Sequence, residues 1–275
     1  MKLSNAAKHF DTTVATDAYG ATTFGCQFGL YDDSTRDGLT IERRIISTAS
    51  VVSIPARRTV TVNGKQWILG DGAEDYFKNA AIRVKYIGHQ ASGLAEIKTV
   101  EQMLLGTSGT TTYAAIAWTK ASRQIEINSD LFNVMTLYLS KAETLSEDKL
   151  VLLNGKVLWT RQPYDALSGL TACVVDELES PVVATVASAR TYDPITDTYS
   201  GGTVNTNVLR MRWQEHFEYF SRAQGSYERG DAVVWILKSA ATLKPSDTLT
   251  LPDGTWRVLR ATDEGAVQSL HVRLA

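Results

Sequence analysis

The chain has 275 residues, 44% hydrophobic and 21% charged, which fits folded modules with cores of their own. With 28 Lys and Arg against 30 Asp and Glu the formal charge is −2, which argues against a dedicated nucleic-acid groove or an acidic-membrane surface. The two cysteines, Cys26 and Cys173, have no C-x-x-C spacing, too few for a disulfide framework or a zinc site, and read as free thiols in a reducing compartment.

The opening MKLSNAAKHFDTTVATDAYG lacks the apolar core of a secretory signal. No stretch approaches the about 20 apolar residues of a membrane span. The expectation is a soluble chain, made in a cytoplasm and making no membrane contact. DDSTRDG (Asp32–Gly38) has calcium-loop character if Asp33 is the first ligand, with Thr35, Asp37 and Gly38 following. The bidentate carboxylate then falls on Arg44, which cannot ligate calcium, so a solvated acidic turn is expected.

RTVTVNGKQWILG (Arg58–Gly70) alternates Val60 and Val62 with Thr59 and Thr61. It turns at Asn63-Gly64, a pair suited to the positive φ values of a type I′ turn, and runs back through Trp67, Ile68 and Leu69. AAIRVKYIGH reads as its closing strand. GLAEIKTVEQMLLG has Leu94, Ile97, Val100, Glu101 and Leu104 near helical spacing and Gly106 as a stop, which predicts one helix. GTSGTTT (Gly106–Thr112) reads as a linker. NVMTLYLS is strand-like, and LVLLNGKVLW is a second hairpin turning at Asn154-Gly155, closed by GLTACVVDEL.

ASARTYDPITDTYSGGTVNTN (Ala187–Asn207) reads as a long loop. WQEHFEYFSRA (Trp213–Ala223) suits a strand or a short helix, and its place before the next module favours a strand. DAVVWILK follows, then LTLPDGTWRVL, a hairpin expected to turn at Asp253-Gly254, then VQSLHVRL.

The second and third modules match. Leu139, Ala142, Thr144 and Leu145 recur as Leu237, Ala240, Thr242 and Leu243. After a one-residue slip, Asp148, Leu150, Leu152 and Gly155 recur as Asp247, Leu249, Leu251 and Gly254. Upstream, Ser122-Arg123 recurs as Ser221-Arg222. This is an internal duplication. The first module alternates one residue out of step with the other two, which flips every side chain, so it is either bulged there or unrelated. The expected fold is mainly β: tandem small β-barrel or β-sandwich modules with an internal duplication and one short linking helix. The expected division is an N-terminal module at 1–92, helix and linker at 93–110, a second module at 111–186, a long loop at 187–207 and a third module at 208–275.

Chemical motifs are missing. Gly64-Lys65 and Gly155-Lys156 lack the flanking Gly and Ser or Thr of a phosphate-binding loop. His9, His89, His216 and His271 stand singly, and no nucleophile elbow or dinucleotide fingerprint occurs. No catalytic, cofactor or metal residue is assigned, no cofactor is expected, and the chain is expected not to be an enzyme. Of the six tryptophans, Trp67, Trp159 and Trp256 each follow a hairpin turn, where they most simply pack on their own module's core. A row of exposed stacking platforms is the sharper alternative.

Tandem β modules with long polar loops suit holding other proteins. The third module, GDAVVWILKSAATLKPSDTLTLPDGTWRVLRATDEGAVQSLHVRL, runs as an apolar strand, a polar step, D-T-L-T-L, a Gly turn, an aromatic, V-L and a terminal alternating strand. In this it resembles the C-terminal part of the head–tail joining (head-closure) proteins of tailed bacteriophages. DKLVLLNGKVLW and TVNGKQWILGD are similar but less complete. The chain departs from the simple members of that family in having several modules where they have one barrel.

The resemblance implies a virion structural protein of the head–tail connector, or neck, assembled in the host cytoplasm. It would form a homo-oligomeric ring contacting portal or adaptor on one side and tail protein on the other, with no sequence-specific nucleic acid. The loop Ala187–Asn207 is the candidate joint, with Tyr192, Asp193, Asp197 and Tyr199 as partner-binding residues. The alternative is a carbohydrate-binding or capsid-decorating β module with exposed Trp and Tyr.

Overall fold

A computed structural model describes residues 13–30, 42–77, 80–120, 133–146, 148–166, 169–187, 191–193, 195, 198–200, 203–212 and 230–275. DDSTRDG, Ser122-Arg123, Ser221-Arg222 and Trp213–Ala223 lie outside them. The described chain is mainly strand, with one short helix, and forms three closed six-stranded antiparallel barrels.

The first barrel uses β1 (Thr13–Asp17), β2 (Thr23–Leu30), β3 (Arg43–Ala49), β4 (Thr59–Val62), β5 (Lys65–Phe77) and β6 (Ala80–Gln90). The second uses β7 (Gly93–Lys98), β8 (Thr110–Lys120), β9 (Asn133–Ser140), β10 (Leu150–Leu153), β11 (Lys156–Asp165) and β12 (Leu170–Leu178). The third uses β13 (Val182–Ala187), β16 (Thr203–Arg212), β17 (Asp231–Leu237), β18 (Thr248–Leu251), β19 (Gly254–Glu264) and β20 (Val267–Leu274). Between β13 and β16 lies a separate two-stranded sheet, β14 (Thr191–Asp193) and β15 (Thr198–Ser200).

All three barrels share one strand order, first–second–third–sixth–fifth–fourth, with the fourth strand closing on the first. The first module therefore shares the topology of the other two. Its apparent one-residue offset has a local cause, visible in the turns. The loops Asn63-Gly64, Asn154-Gly155 and Pro252-Asp253 are each two residues long, between the pairs Val62–Lys65, Leu153–Lys156 and Leu251–Gly254.

Asn63, Gly64, Asn154 and Gly155 all have positive φ, at 51°, 75°, 52° and 78°. In the third hairpin the turn sits one residue earlier than the sequence predicts, because Pro252 fixes a negative φ and fits a turn position, not a strand. Counted from the turns, Trp67 (opposite Val60) and Trp256 (opposite Leu249) occupy one position, and Leu158 (opposite Val151) occupies it in the second barrel. The second hairpin is the one whose tryptophan is displaced, to Trp159.

That displacement reverses the expectation for Trp159. Trp67 packs with Ala15, Cys26, Ile46, Val60 and Leu69, with Phe28 edge-on at 5.2 Å. Trp256 packs with Val186, Leu249, Leu251 and Leu270. Both fill their own barrel. Trp159 points the other way and stacks on Trp235 at 4.8 Å, in a cluster with Leu209, Met211, Val233 and Val267.

Two compact units divide the chain. One is Met1–Ile97, Thr111–Lys149 and Thr160–Val175, and the other is Lys98–Thr110, Leu150–Trp159 and Asp176–Ala275. Each holds a junction between consecutive barrels, built alike. In the first unit Ile68 packs on Ala115 and Ala117 of β8, Tyr138 of β9, and Leu170 and Ala172 of β12. In the second unit Trp159 packs on the corresponding strands β16, β17 and β20. Counted from their turns, Ile68, Trp159 and Arg257 are equivalent, and Arg257, in the last barrel, is exposed. β17 serves both a barrel interior (Ala232, Val234, Ile236) and a junction (Val233, Trp235, Leu237), so all seven of its residues are buried.

The predicted helix is only half present. Gly93–Lys98 is a strand, and the helix α1 spans Val100–Leu105 in the first connection of the second barrel. Thr99 Oγ1 accepts from Gln102 N at 3.1 Å and Gln102 Oε1 accepts from Thr99 N at 2.9 Å, a reciprocal capping box that fixes the start. Gly106, at φ 69°, ends it. Part of the segment read as a linker, Thr110–Thr112, belongs to β8.

Candidate functional site

The segment read as a loop carries the β14–β15 hairpin. β13 and β16 pair as far as Ala187 opposite Thr203, and that pair closes the base of an arm between them. In the arm Thr191 pairs with Ser200, Tyr192 with Tyr199 and Asp193 with Thr198. The structure thus brings Tyr192 and Tyr199 directly opposite each other and sets Asp193 at the last pair before the turn. Asp197 lies outside the described residues.

The sequence reading missed Ile195. It sits in the turn with 92% of its surface exposed. A lone aliphatic residue among Asp, Pro and Thr was the available signal. Ordinary turn chemistry favours Gly, Asn, Asp and Pro at such a tip, so an isoleucine there departs from the usual turn residues.

Polar clusters elsewhere are closed ion pairs. Arg210, with 4% of its side chain exposed, donates to Glu179 at 2.9 and 2.5 Å and to both oxygens of Asp253 at 2.7 and 2.8 Å. Trp256 Nε1 also donates to Asp253, at 3.2 Å. Asp231, with a fully buried side chain, is held by Arg273 at 2.6 and 3.1 Å and by His271 Nε2 at 2.7 Å. These fix strands against one another. In the first unit the Arg57 guanidinium lies 3.7 Å over the Tyr19 ring and donates to Glu143 at 2.6 Å and to the Thr111 carbonyl at 2.5 Å.

Among the described residues no group of three or more His, Cys, Asp or Glu is placed to hold a metal ion. Two surface depressions are open. One, of about 420 Å³, is lined by residues that include Glu143, Pro163, Tyr164 and Asp165. The other, of about 470 Å³, includes Phe28, Ile45, Arg83 and Lys85. Trp67, Trp159, Trp235 and Trp256 are buried, so none of these four offers a stacking face. No helix among the described residues is long and apolar enough to cross a membrane. What fold and site define is a tandem six-stranded barrel protein with a separate two-stranded hairpin inserted between β13 and β16. No family model, curated protein or solved structure matches the chain.

Proposed function

We propose that this chain is a non-enzymatic virion structural protein of the phage head–tail connector, a ring subunit joining portal or adaptor to the tail. The observation that carries this reading is the arm: a hairpin held at its base by β13 and β16 and tipped by an exposed isoleucine. Barrels whose described interiors are filled by their own side chains suit a rigid spacer. The arm would be the contact element, with Tyr192, Asp193, Asp197 and Tyr199 near Ile195 in sequence. Burial of Trp67, Trp159, Trp235 and Trp256 weighs against the carbohydrate-binding alternative, which draws on exposed rings.

The test is the mass of the purified protein in solution, alone and mixed with candidate portal and tail proteins, with negative-stain images of any large species. Closed rings, or a complex formed only with those partners, are expected. A strict monomer indifferent to them overturns the reading.

A further inference from the structure

His89 sits on the outward face of β6, opposite Arg43 on β3 and Ile68 on β5, at the junction within the first unit. It is 2% exposed, and neither ring nitrogen has a hydrogen-bond partner among the described residues. The Tyr138 ring from β9 lies nearly parallel to it, with centroids 6.5 Å apart and planes 9° from each other. Tyr138 can reach it because its own cross-strand neighbours are small, Ala115 on one side and Ala172 on the other.

The third barrel supplies an internal control. Following the same pairings there, His89 corresponds to Arg273 and Arg43 to Asp231. The third barrel thus fills this lattice position with opposite charges joined by two hydrogen bonds. The first barrel sets a histidine against an arginine instead.

We propose that His89 is an acid-operated latch: neutral, it lets the first barrel close against β8, β9 and β12, and its protonation drives that junction apart. The groups facing it are Arg43 from β3, Tyr138 from β9 and the apolar Ile68 from β5; Ile87 and Ala91 flank it on its own chain. Among the described residues Arg43 is the charge that acts on it, and that charge is repulsive. An imidazolium here would be desolvated, without an acceptor and beside a cation. Burial first, and Arg43 second, push the His89 pKa down from its usual 6.5 to about 4.

The sign follows. A histidine that regains an ordinary pKa once the junction opens binds protons more readily in the open form. Opening is therefore favoured as pH falls through about 6.5 and levels off below about 4. Over that span the opening equilibrium shifts by up to about 300-fold.

The experiment uses the full chain with Cys26 and Cys173 replaced by Ala and a reporter Ala172→Cys, at a residue that is fully buried in the junction. Its labelling by 4,4′-dithiodipyridine, which reacts with thiols in acid, is followed from pH 7 to pH 4 and referred to the rate of the unfolded chain. Protection is expected to fall by tens- to hundreds-fold with acid. His89→Phe should hold it flat, His89→Lys should lower it already at pH 7, and Arg43→Met, which removes the repulsive charge, should shrink the loss of protection in acid. Protection independent of pH, or falling equally in His89→Phe, overturns the proposal. Should His89→Phe fail to fold, Arg43→Met decides: an undiminished loss of protection overturns it.

Discussion

Arg210 stays charged while almost wholly buried because two carboxylates meet it, and the pairing has a consequence in acid. Burial by itself would raise the Asp253 carboxyl; the hydrogen bond and charge of Arg210, with donation from Trp256 Nε1, bring it below the usual range. A carboxyl depressed in the folded state stabilises above its unfolded pKa, near 4, and that stabilisation is lost as pH falls through the folded value. The melting temperature should therefore drop below about pH 4, and Asp253→Asn should lower it at pH 7 while flattening the acid limb. Trp235 contributes by packing: Trp235→Ala removes half of the stacked pair with Trp159 and should cost about 3–5 kcal/mol in urea unfolding. At this scale the sequence marked the tryptophans as core but not which core. The face that Trp159 takes depends on a turn position that alternation alone does not reveal. His89 gave no signal at all, since its burial comes from Tyr138, far away in the chain.

Among the elements, turns with local chemistry were the legible part. Asn63-Gly64 and Asn154-Gly155 fold as expected, whereas Pro252 moves the third turn by one residue. The helix was overread because GLAEIK alternates with period two as readily as it meets helical spacing, and closure of the second barrel takes it as a strand. What remains of the helix is set by its caps, so Thr99→Ala should cost about 1 kcal/mol of global stability, measured by denaturant midpoint. The fifth strand of each barrel outruns its pairing with the fourth. β4 pairs with β5 only to Ile68, β10 with β11 to Trp159, and β18 with β19 to Arg257. The overhangs carry the devices that blunt an edge: bulges between Leu69 and Gly72 and between Val258 and Arg260, and Pro163 in β11. Pro163→Val should promote light-scattering aggregates on storage with little change in melting temperature.

For the whole molecule, the sequence carried the fold class and a duplication, while the structure holds three copies of one topology. The first copy was hidden because similarity of strand order does not require similarity of residue phase. The arm was legible as a segment but not as a hairpin, because Thr191–Asp193 and Thr198–Ser200 are too short to alternate visibly. It is built apart from the cores, and this separates its role from stability. Ile195→Asp should leave unfolding free energy within about 0.5 kcal/mol of the parent. On the connector reading it should also abolish assembly in the mass measurement, and full assembly by this variant would discount the arm.

Three copies of one strand order in a single chain raise a hazard during synthesis. Each barrel occupies its own stretch of sequence and can close as soon as its last strand emerges, yet its fourth strand could be captured by a neighbour's vacancy. The unequal hairpins make that exchange unprofitable. Installed in the first barrel, β10–β11 would bring Leu158 where Trp67 fills the interior, leaving a void, and would thrust Trp159 where Ile68 fits among alanines. The displaced tryptophan thus disfavours seating this hairpin in the first barrel.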